Sequence, residues 1–490
     1  MNEVPEVKYL PVGIGATGHR RESDSMGPVD VPADRYWGAQ TQRSLIHFGG
    51  IGEDLMPREV YHALGHVKKA AALANGEAGR LDRWMADLIA RVADEIIDGE
   101  LDDHFPLRVW QTGSGTQSNM NVNEVISNRA IQLIGGTIGS KTPVHPNDDV
   151  NMGQSSNDTF PTAMHIAAVQ AVHKELVPNV TALYDAVAAK ARSWRDVVKI
   201  GRTHLEDAVP LTVGQEWSGY ARQLEQAIGG VKTSTEGLFE LAAGGTAVGT
   251  GLNAPPGFAE AVAERISEQT GYPFRTAPNK FAALAASDAI ASASAGLRGL
   301  AIPLIKIAND VRWLASGPRA GLGELVLPAN EPGSSIMPGK VNPTQCEAML
   351  MVCAQVLGHD SAIASAASQG NLELNTMRPL IISNFLHSAR ILAGATRAFR
   401  EFCVEGAELN RDQIAGHVDR SLMLVTALSP VIGYDKAATI AHKANADGTT
   451  LREAALASGY ISADDFDRVI DPAAMVGEGD GREGDGRGTR

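Results

Sequence analysis

The chain has 490 residues, of which 44% are hydrophobic and 20% are charged, an ordinary globular composition long enough for two to three domains. A formal net charge of −14 argues against nonspecific binding to nucleic acid or to anionic membranes, since both need a basic surface. The three cysteines, Cys346, Cys353 and Cys403, form no spacing framework and cannot all pair, which favours a reducing intracellular compartment.

The two ends of the chain differ in composition from the rest. Residues 1–21 lack the apolar core and cleavage pattern of a signal peptide, and no run of the chain is uncharged and apolar over a bilayer's width, so we expect a cytoplasmic protein. Residues 1–20 are predicted to be a disordered extension. Residues 477–490 are Gly-rich and charged, which predicts a disordered tail because little apolar surface is available to bury.

Helical patterning dominates the middle of the chain. Between residues 61 and 100 apolar residues recur three and four apart, which predicts amphipathic helices interrupted near residues 76–79. Pro178 and Pro303 lie inside long helical runs, where we expect kinks rather than ends. Five long stretches have helix-forming composition, at residues 162–194, 213–242, 279–315, 343–368 and 377–406.

These elements predict a mainly α protein of three domains. Residues 21–152 would form an N-terminal helical domain, 153–408 a central bundle of about five long helices, and 409–476 a small C-terminal helical domain. Ala and Gly occur on several faces of the long helices, whereas a surface helix would show a wide polar face. We therefore expect subunits to associate through the bundle.

The most specific segment is GSSIMPGKVNP at residues 333–343. Glycines at both ends allow a mobile or tightly turned loop, and two hydroxyls, one ammonium group and one amide lie within a few residues of each other. Such a loop can close over a carboxylate. A plain Ser/Gly turn before a helix is the alternative interpretation of a bare GSS, but the whole string is far rarer by chance.

This loop resembles the signature loop of the fumarase/aspartase superfamily. Further segments that look like class II fumarases are GSGTQSNMNVNEV at 113–125, HPNDDVN with QSSNDTFPTAMH at 145–165, GRTHLEDAVPLTVGQE at 201–216 and KVNPTQCEAM at 340–349. The resemblance runs from about residue 21 to residue 476. It implies a homotetramer with a shared helical core, whose active sites are each built from three subunits.

The implied activity is the reversible hydration of fumarate to L-malate, a reaction of the tricarboxylic acid cycle, through an aci-carboxylate carbanion and without a metal or other cofactor. Aspartate ammonia-lyase of the same superfamily is the alternative, although aspartases differ in the residues that come after KVNP. A non-catalytic relative, such as a lens crystallin, is a second alternative. The implied partner is a small dicarboxylate, with no nucleic acid or membrane.

The resemblance assigns three catalytic residues. Ser334 would exchange the carbon-bound proton as an alkoxide, stabilised by backbone amides of the loop and by Lys340. His204 would be the acid/base at the oxygen end, and Glu347 would orient and polarise it. A lone histidine is more often structural, and a helix-surface acid is the alternative interpretation of Glu347.

The remaining implied residues bind dicarboxylates. Hydroxyls and amides suit a small dianion because many donors can fix both of its ends. The substrate-binding residues implied are Ser114, Gly115, Thr116, Ser155, Ser156, Asn157, Thr203, Ser335, Lys340, Val341 and Asn342. A second dicarboxylate site is implied at His145, Pro146, Asn147 and Asp148, near which Thr142 stands where some relatives carry a basic residue.

Two other segments match known binding motifs in spacing but lack the neighbouring structure or residues that those motifs need. Residues 13–18 match the dinucleotide fingerprint GxGxxG, but no predicted strand precedes them and no helix comes after them. His62 and His66 are four apart, as zinc ligands can be, yet the Glu of HExxH is missing, so a packed or solvated helix face is the preferred interpretation.

Overall fold

The computed structural model describes residues 4–477, which divide into two compact units. The first comprises the chain up to Val177 with Gly230–Gly299 and Ala354–Leu392; the second comprises Pro178–Gly229, Leu300–Cys353 and the chain from Ala393. Within the described residues the mainly α fold is confirmed, with 17 α-helices. The proposed three-domain boundaries stay predictions.

The helices are, in chain order, α1 Ala39–Phe48, α2 Arg58–Glu77, α3 Arg83–Ile97, α4 Thr116–Leu133, α5 Ser156–Gln170, α6 Val177–Ser193, α7 Val213–Ser234, α8 Phe258–Thr270, α9 Lys280–Ala285, α10 Asp288–Leu314, α11 Thr344–Ala367, α12 Arg378–Phe399, α13 Arg411–Arg420, α14 Ser429–Ile432, α15 Tyr434–Asp447, α16 Leu451–Ser458 and α17 Ala463–Val469. The short strands are β1 His19–Asp24, β2 Gly27–Pro32, β3 Val198–Thr203, β4 Glu206–Thr212, β5 Glu240–Leu241, β6 Arg275–Thr276, β7 Leu325–Val326, β8 Gly370–Asn371, β9 Leu374–Asn375 and β10 Glu408–Leu409. They form two-stranded sheets, antiparallel except for β5 with β6.

Each of the five predicted long stretches contains a long helix, although the stretch from 213 leaves the helix at Ser234 and ends in strand β5. The first is α5 and α6 joined through a π-helical turn at Ala171–Leu176, so the interruption comes just before Pro178. A π turn shifts the hydrogen-bond register, which accommodates a residue that lacks an N–H. Pro303 lies inside α10. The stretch from 279 is divided into α9 and α10, and the stretch from 377 ends in a π turn at Arg400–Val404.

The core of the first unit is built around α2 and α3. The apolar residues that predicted these helices, such as Leu64, Val67, Leu88 and Ile96, are all buried. The helices approach closely at Gly65, where an added Cβ would lie 2.9 Å from the side chain of Ile97. The interruption predicted near residues 76–79 is confirmed, since α2 ends at Glu77.

Polar side chains on α4 are buried and bind main-chain groups of other segments. The carboxylate of Glu124 accepts hydrogen bonds from the N–H groups of Gly38, Gln40 and Thr41, at 2.8–3.1 Å, and from the Thr41 hydroxyl at 2.7 Å. These N–H groups lie at the start of α1, where no intrahelical partner exists for them. Glu124 thus caps a helix from 83 or more residues away in sequence.

The N-terminal segment also contacts α4. Arg129 donates to the carbonyls of Leu10 and Pro11, at 2.8 and 3.2 Å, and the N–H of Lys8 donates to the Leu133 carbonyl at 2.7 Å. Residues 8–11, within the extension predicted to be disordered, therefore have defined partners. The predicted tail lies outside the described residues, apart from Gly477.

The second unit has its own apolar core. It joins Ile200 of β3 to the helices that come after residue 410, so the β3–β4 hairpin and the C-terminal helices share one cluster. Its other buried members are Val418, Leu424, Val425, Leu428, Ala437, Ile440, Ala444, Leu451, Ala454, Ala455 and Phe466. All three cysteines of the chain are buried with free thiols.

Two helices, α10 and α11, are long and apolar enough to cross a membrane by length and composition alone. Both helices carry charged side chains, Arg298 and Lys306 in α10 and Glu347 and Asp360 in α11, so neither is the uncharged apolar run that the sequence analysis excluded. The signal is weak, since a core helix of a soluble protein passes the same test.

Lys68 of α2 is a fully buried amine. Its Nζ donates to Asn151 Oδ1 and Gln154 Oε1, each at 3.0 Å. Burial lowers the pKa of Lys68 to about 7, because the charged form loses its hydration. In the unfolded chain the same amine has its ordinary pKa of 10.5.

Lys68→Met should change how stability depends on pH. Between pH 7 and 10.5 the unfolded chain holds a proton that the folded chain releases, so the Lys68 contribution to the free energy of unfolding rises with pH across this window. Wild type should gain on the order of 3 kcal/mol over the variant between pH 7 and 9.5. Urea unfolding at both pH values measures this, with Lys69→Met as the control for loss of a neighbouring lysine. Equal pH dependence in wild type and Lys68→Met would contradict the prediction.

Candidate functional site

The 333–343 loop is closed by hydrogen bonds between its ends. The N–H of Gly333 donates to the Lys340 carbonyl at 2.9 Å, and Asn342 Nδ2 donates to the Gly333 carbonyl at 2.7 Å. Lys340 Nζ in turn donates to Asn342 Oδ1 at 2.8 Å. An added Cβ on Gly333 would lie 2.3 Å from the Lys340 carbonyl oxygen, so this closure requires glycine.

Ser334 lies inside this closed loop with its hydroxyl oxygen held by two main-chain donors. The N–H groups of Met337 and Ile336 donate to Ser334 Oγ at 3.0 and 3.3 Å. Two N–H donors favour negative charge on the oxygen that accepts them. Of the two stabilisers expected for Ser334, the structure places the amides on its oxygen, whereas Lys340 is bonded to Asn342.

A cavity of about 400 Å³ opens along the loop and is lined by residues 329–334 and 338–341. Ser334 and Lys340 both line it. Val341 is exposed and also lines the cavity, whereas Ser335 is exposed and is not among its lining residues. Glu347 lies in the first turn of α11, directly after the loop. The side chain of Thr344 donates to Glu331 at 2.9 Å, which fixes the base of the loop to this helix.

His204 lies at the tip of the β3–β4 hairpin. Thr203 pairs with Glu206, so the two-residue turn consists of His204 and Leu205, with φ of 59° and 64°. Two successive positive φ values are those of a type I′ turn, which normally takes Asn or Gly. Non-glycine residues in this region cost roughly 1 kcal/mol each and cluster at functional sites. The imidazole of His204 is exposed.

A buried ion network lies along strand β3 of this hairpin. Glu324 forms ion pairs with Lys199 at 3.0 Å and with Arg202 at 2.8 Å, both on β3, and His417 Nδ1 lies 3.0 Å from it. Lys199 also pairs with Glu216 at 2.8 Å. Burial raises the pKa of Glu324, but Lys199 and Arg202 outweigh this effect, so its pKa is lowered overall.

In the first unit three hydroxyl oxygens form a continuous chain. Ser114 Oγ lies 2.7 Å from Thr116 Oγ1, which lies 2.8 Å from Ser156 Oγ. Gly115 has φ of 78°, and an added Cβ there would lie 2.3 Å from the ring of Phe160. The sequence GSGT thus turns sharply into α4 and brings its hydroxyls to the N-terminus of α5.

The N-terminus of α5 is fixed by the buried carboxylate of Asp158. Asp158 accepts from the N–H groups of Ser155, Gly244 and Thr246 at 2.9–3.0 Å, and Ser155 caps the helix reciprocally. Burial raises the pKa of Asp158 to about 6. The amide of Asn157 donates to the Ala247 carbonyl at 2.8 Å.

The residues of the expected second dicarboxylate site form a separate cluster. His145 Nδ1 accepts from the N–H groups of Asn147 and Asp148, at 3.2 and 3.1 Å, and so caps a π-helical turn at Pro146–Val150. Asn147 and Asp148 are exposed, whereas Pro146 is buried. The imidazole nitrogen that points into the turn is therefore already occupied.

The residues that the sequence analysis expected in the site lie in separate groups in the two units. Ser114, Gly115 and Thr116 meet Ser156 in the first unit, and the second unit holds the 333–343 loop, Glu347 and the hairpin tip. Within residues 4–477 no hydrogen bond joins His204 to Ser334 or Glu347. The assigned roles stay predictions.

Sequence reasoning missed the buried residues that hold these groups. Asp158 comes three residues after Ser155 in the S-x-x-D pattern of a helix cap, a signal that could have found it. Glu324 and Arg378 carry no such local signal, because their partners are distant in sequence.

Two family models match the chain. One described as "Lyase" matches residues 27–358, and one described as "Fumarase C C-terminus" matches residues 424–477. The first covers more than half of the chain, so the class of protein that the fold and site define is a lyase.

Similar sequences and structures show which family of lyases the chain belongs to. A class II fumarate hydratase from Methanosarcina acetivorans is 67% identical over 97% of this chain and 98% of its own length, and a mitochondrial fumarate hydratase from Rhizopus oryzae is 58% identical over 97% and 96%. A class II fumarase structure from Schistosoma mansoni aligns with a TM-score of 0.91 at 45% identity, over 94% of this chain and 99% of that one. The chain belongs to the class II fumarase family. The relatives give no support to the aspartate ammonia-lyase alternative.

Glu324→Gln should destabilise the hairpin that carries His204. Removing the carboxylate leaves Arg202 without its buried partner, a change that costs about 3 kcal/mol. Because the pKa of Glu324 is lowered on folding, its stabilisation is full above its unfolded value of 4.5 and is lost as pH falls through the lower folded value. Thermal unfolding at pH 7 measures the loss. Glu225→Gln, which breaks an exposed pair with Arg222, is the matched control and should change little. Equal losses in the two variants would contradict the prediction.

Proposed function

We propose that the chain catalyses the reversible hydration of fumarate to L-malate through an aci-carboxylate carbanion. The observation that carries this proposal is the Ser334 oxygen, which accepts two main-chain N–H groups in a loop that also holds Lys340 over a cavity. The high sequence identity to class II fumarate hydratases along nearly the whole chain supports it.

In the malate direction, the Ser334 alkoxide removes a proton from the carbon next to one carboxylate. The electron pair moves into that carboxylate, and Lys340 and Asn342 offset the charge that develops there. Hydroxide then leaves the neighbouring carbon and takes a proton from His204, so that water is released. Glu347 polarises His204. Hydration of fumarate is the reverse.

Substrate binding would fall to the two serine- and threonine-rich segments. Ser114, Gly115 and Thr116 adjoin the α5 N-terminus at Ser155, Ser156 and Asn157, where main-chain N–H groups and a helix dipole favour an anion. Thr203, Ser335 and Val341 would complete the site.

We also propose a homotetramer whose active sites each draw residues from three subunits, located in the cytoplasm. Monomers separated by dilution should then be inactive and should regain turnover on reassociation. We further propose a second dicarboxylate site at residues 145–148, weakened by the internal bonds of His145.

The activity itself is tested with chelator-treated protein and fumarate alone, by monitoring loss of the ultraviolet absorbance of the double bond. Turnover without added metal or cofactor is expected. Turnover that appears with ammonia but not with water would make the enzyme an aspartase instead.

His204→Asn should slow turnover about 10²- to 10⁴-fold, because Asn cannot exchange a proton at the oxygen end. Steady-state kinetics measures the loss. Size-exclusion chromatography should match wild type, and the unfolding temperature should be equal to or slightly above that of wild type, because Asn adopts the positive φ of this turn at lower cost than His. His47→Asn, an exposed histidine at the end of α1, is the control. An unchanged rate in His204→Asn would reject the assigned role.

Ser334→Ala should be at least as damaging and should also stop exchange of the malate C3 hydrogen with solvent. In D2O, NMR measures this exchange separately from turnover. His204→Asn should keep more exchange than turnover, because carbon deprotonation does not require it. Full C3 exchange in Ser334→Ala would exclude Ser334 as the base.

A further inference from the structure

Arg378, the first residue of α12, is fully buried in the first unit. Burial lowers the pKa of Arg378 to about 10, so it remains a cation at neutral pH. Burying a cation costs several kcal/mol unless its hydrogen bonds offset the lost hydration. Within residues 4–477 both hydrogen bonds of its guanidinium go to main-chain carbonyls rather than to a carboxylate.

These bonds reach the segments that carry the expected substrate hydroxyls. Arg378 Nη1 donates to the carbonyl of Asn157 at 2.8 Å, at the start of α5, and Nη2 donates to the carbonyl of Leu284. The main-chain N–H of Arg378 donates to the carbonyl of Gly113 at 3.0 Å. One residue therefore contacts both the 113–116 segment and the 155–157 segment.

The turn before Arg378 is rigid and fits closely against Gly113. An added Cβ on Gly113 would lie 1.5 Å from the Thr376 carbonyl oxygen, so no side chain is possible there. The buried amide of Asn375 donates to the carbonyls of Ala366 and Ala367 at 3.1 Å and accepts from the N–H of Met377 at 2.8 Å. Arg378 thus projects from a fixed base.

We propose that Arg378 is a positioning residue, which sets the spacing between the two hydroxyl-bearing segments and so the affinity for the dicarboxylate. The contact of 2.8 Å between Thr116 and Ser156 joins these segments and depends on that spacing. Arg378 acts through Asn157 and Gly113 and does not touch the substrate. The inference rests on the proposed substrate-binding role of both segments.

Arg378→Met should raise the KM for fumarate about tenfold or more while kcat changes less than about threefold, because binding is lost in the ground state and transition state alike. Arg378→Lys keeps the buried charge but cannot reach both carbonyls, so its KM should lie between those of wild type and Arg378→Met. Steady-state kinetics on the intact oligomer measures both.

Arg129→Met is the matched control. Arg129 is also buried and donates to main-chain carbonyls, those of Leu10 and Pro11, but it pairs with Glu95 and does not contact either segment. It should lower the unfolding temperature without changing KM. An equal rise of KM in Arg129→Met would mean that general destabilisation explains the effect, and would overturn the inference.

Asn157→Ala separates failure of this inference from failure of the proposed site. If Asn157→Ala leaves KM unchanged, the substrate assignment fails. If Asn157→Ala raises KM, and Arg378→Met together with Asn157→Ala raises it less than the product of the single effects, Arg378 acts through Asn157. A wild-type KM in folded Arg378→Met overturns the inference. Should Arg378→Met not fold, Arg378→Lys decides, and a wild-type KM there overturns it equally.

Discussion

A buried polar side chain is stabilised by hydrogen-bond partners, and for three buried charged side chains of this protein those partners are main-chain groups of segments distant in sequence. Glu124 caps the first helix, Asp158 holds a loop against the start of α5, and Arg378 bonds two segments at once. Each bond removes an unsatisfied group that would otherwise cost about 1–3 kcal/mol. The buried polar side chains therefore also fix the positions of the loops.

The tip of the β3–β4 hairpin shows how buried polar contacts stabilise a strained backbone. His204 and Leu205 both adopt a backbone conformation that glycine or asparagine would adopt at lower cost. The ion network around Glu324 fixes β3 through Lys199 near its start and Arg202 near its end. The strands next to the turn are held in place by these ion pairs, and this allows a turn of unfavourable residues to persist.

Much of the fold could be predicted from local pattern. Helical spacing predicted α2 and α3, and composition predicted all five long stretches, because small and apolar residues with few breakers favour helix wherever they lie. The 333–343 loop could be identified from its amino-acid sequence alone. The role of Arg378 could not be predicted, because its carbonyl partner at Asn157 lies 221 residues away. Every residue has a backbone carbonyl, so the sequence does not show which one is the partner. The π turns before Pro178 and after α12 also depend on register rather than composition.

The continuous chain of hydroxyls formed by Ser114, Thr116 and Ser156 can carry its hydrogen bonds in either direction. Each hydroxyl both donates and accepts, and its hydrogen rotates freely. The whole series can therefore reverse its polarity without any movement of oxygen atoms. In one orientation the terminal hydroxyl presents a hydrogen-bond donor to its surroundings, and in the other it presents an acceptor, so the same oxygen positions suit partners of either kind.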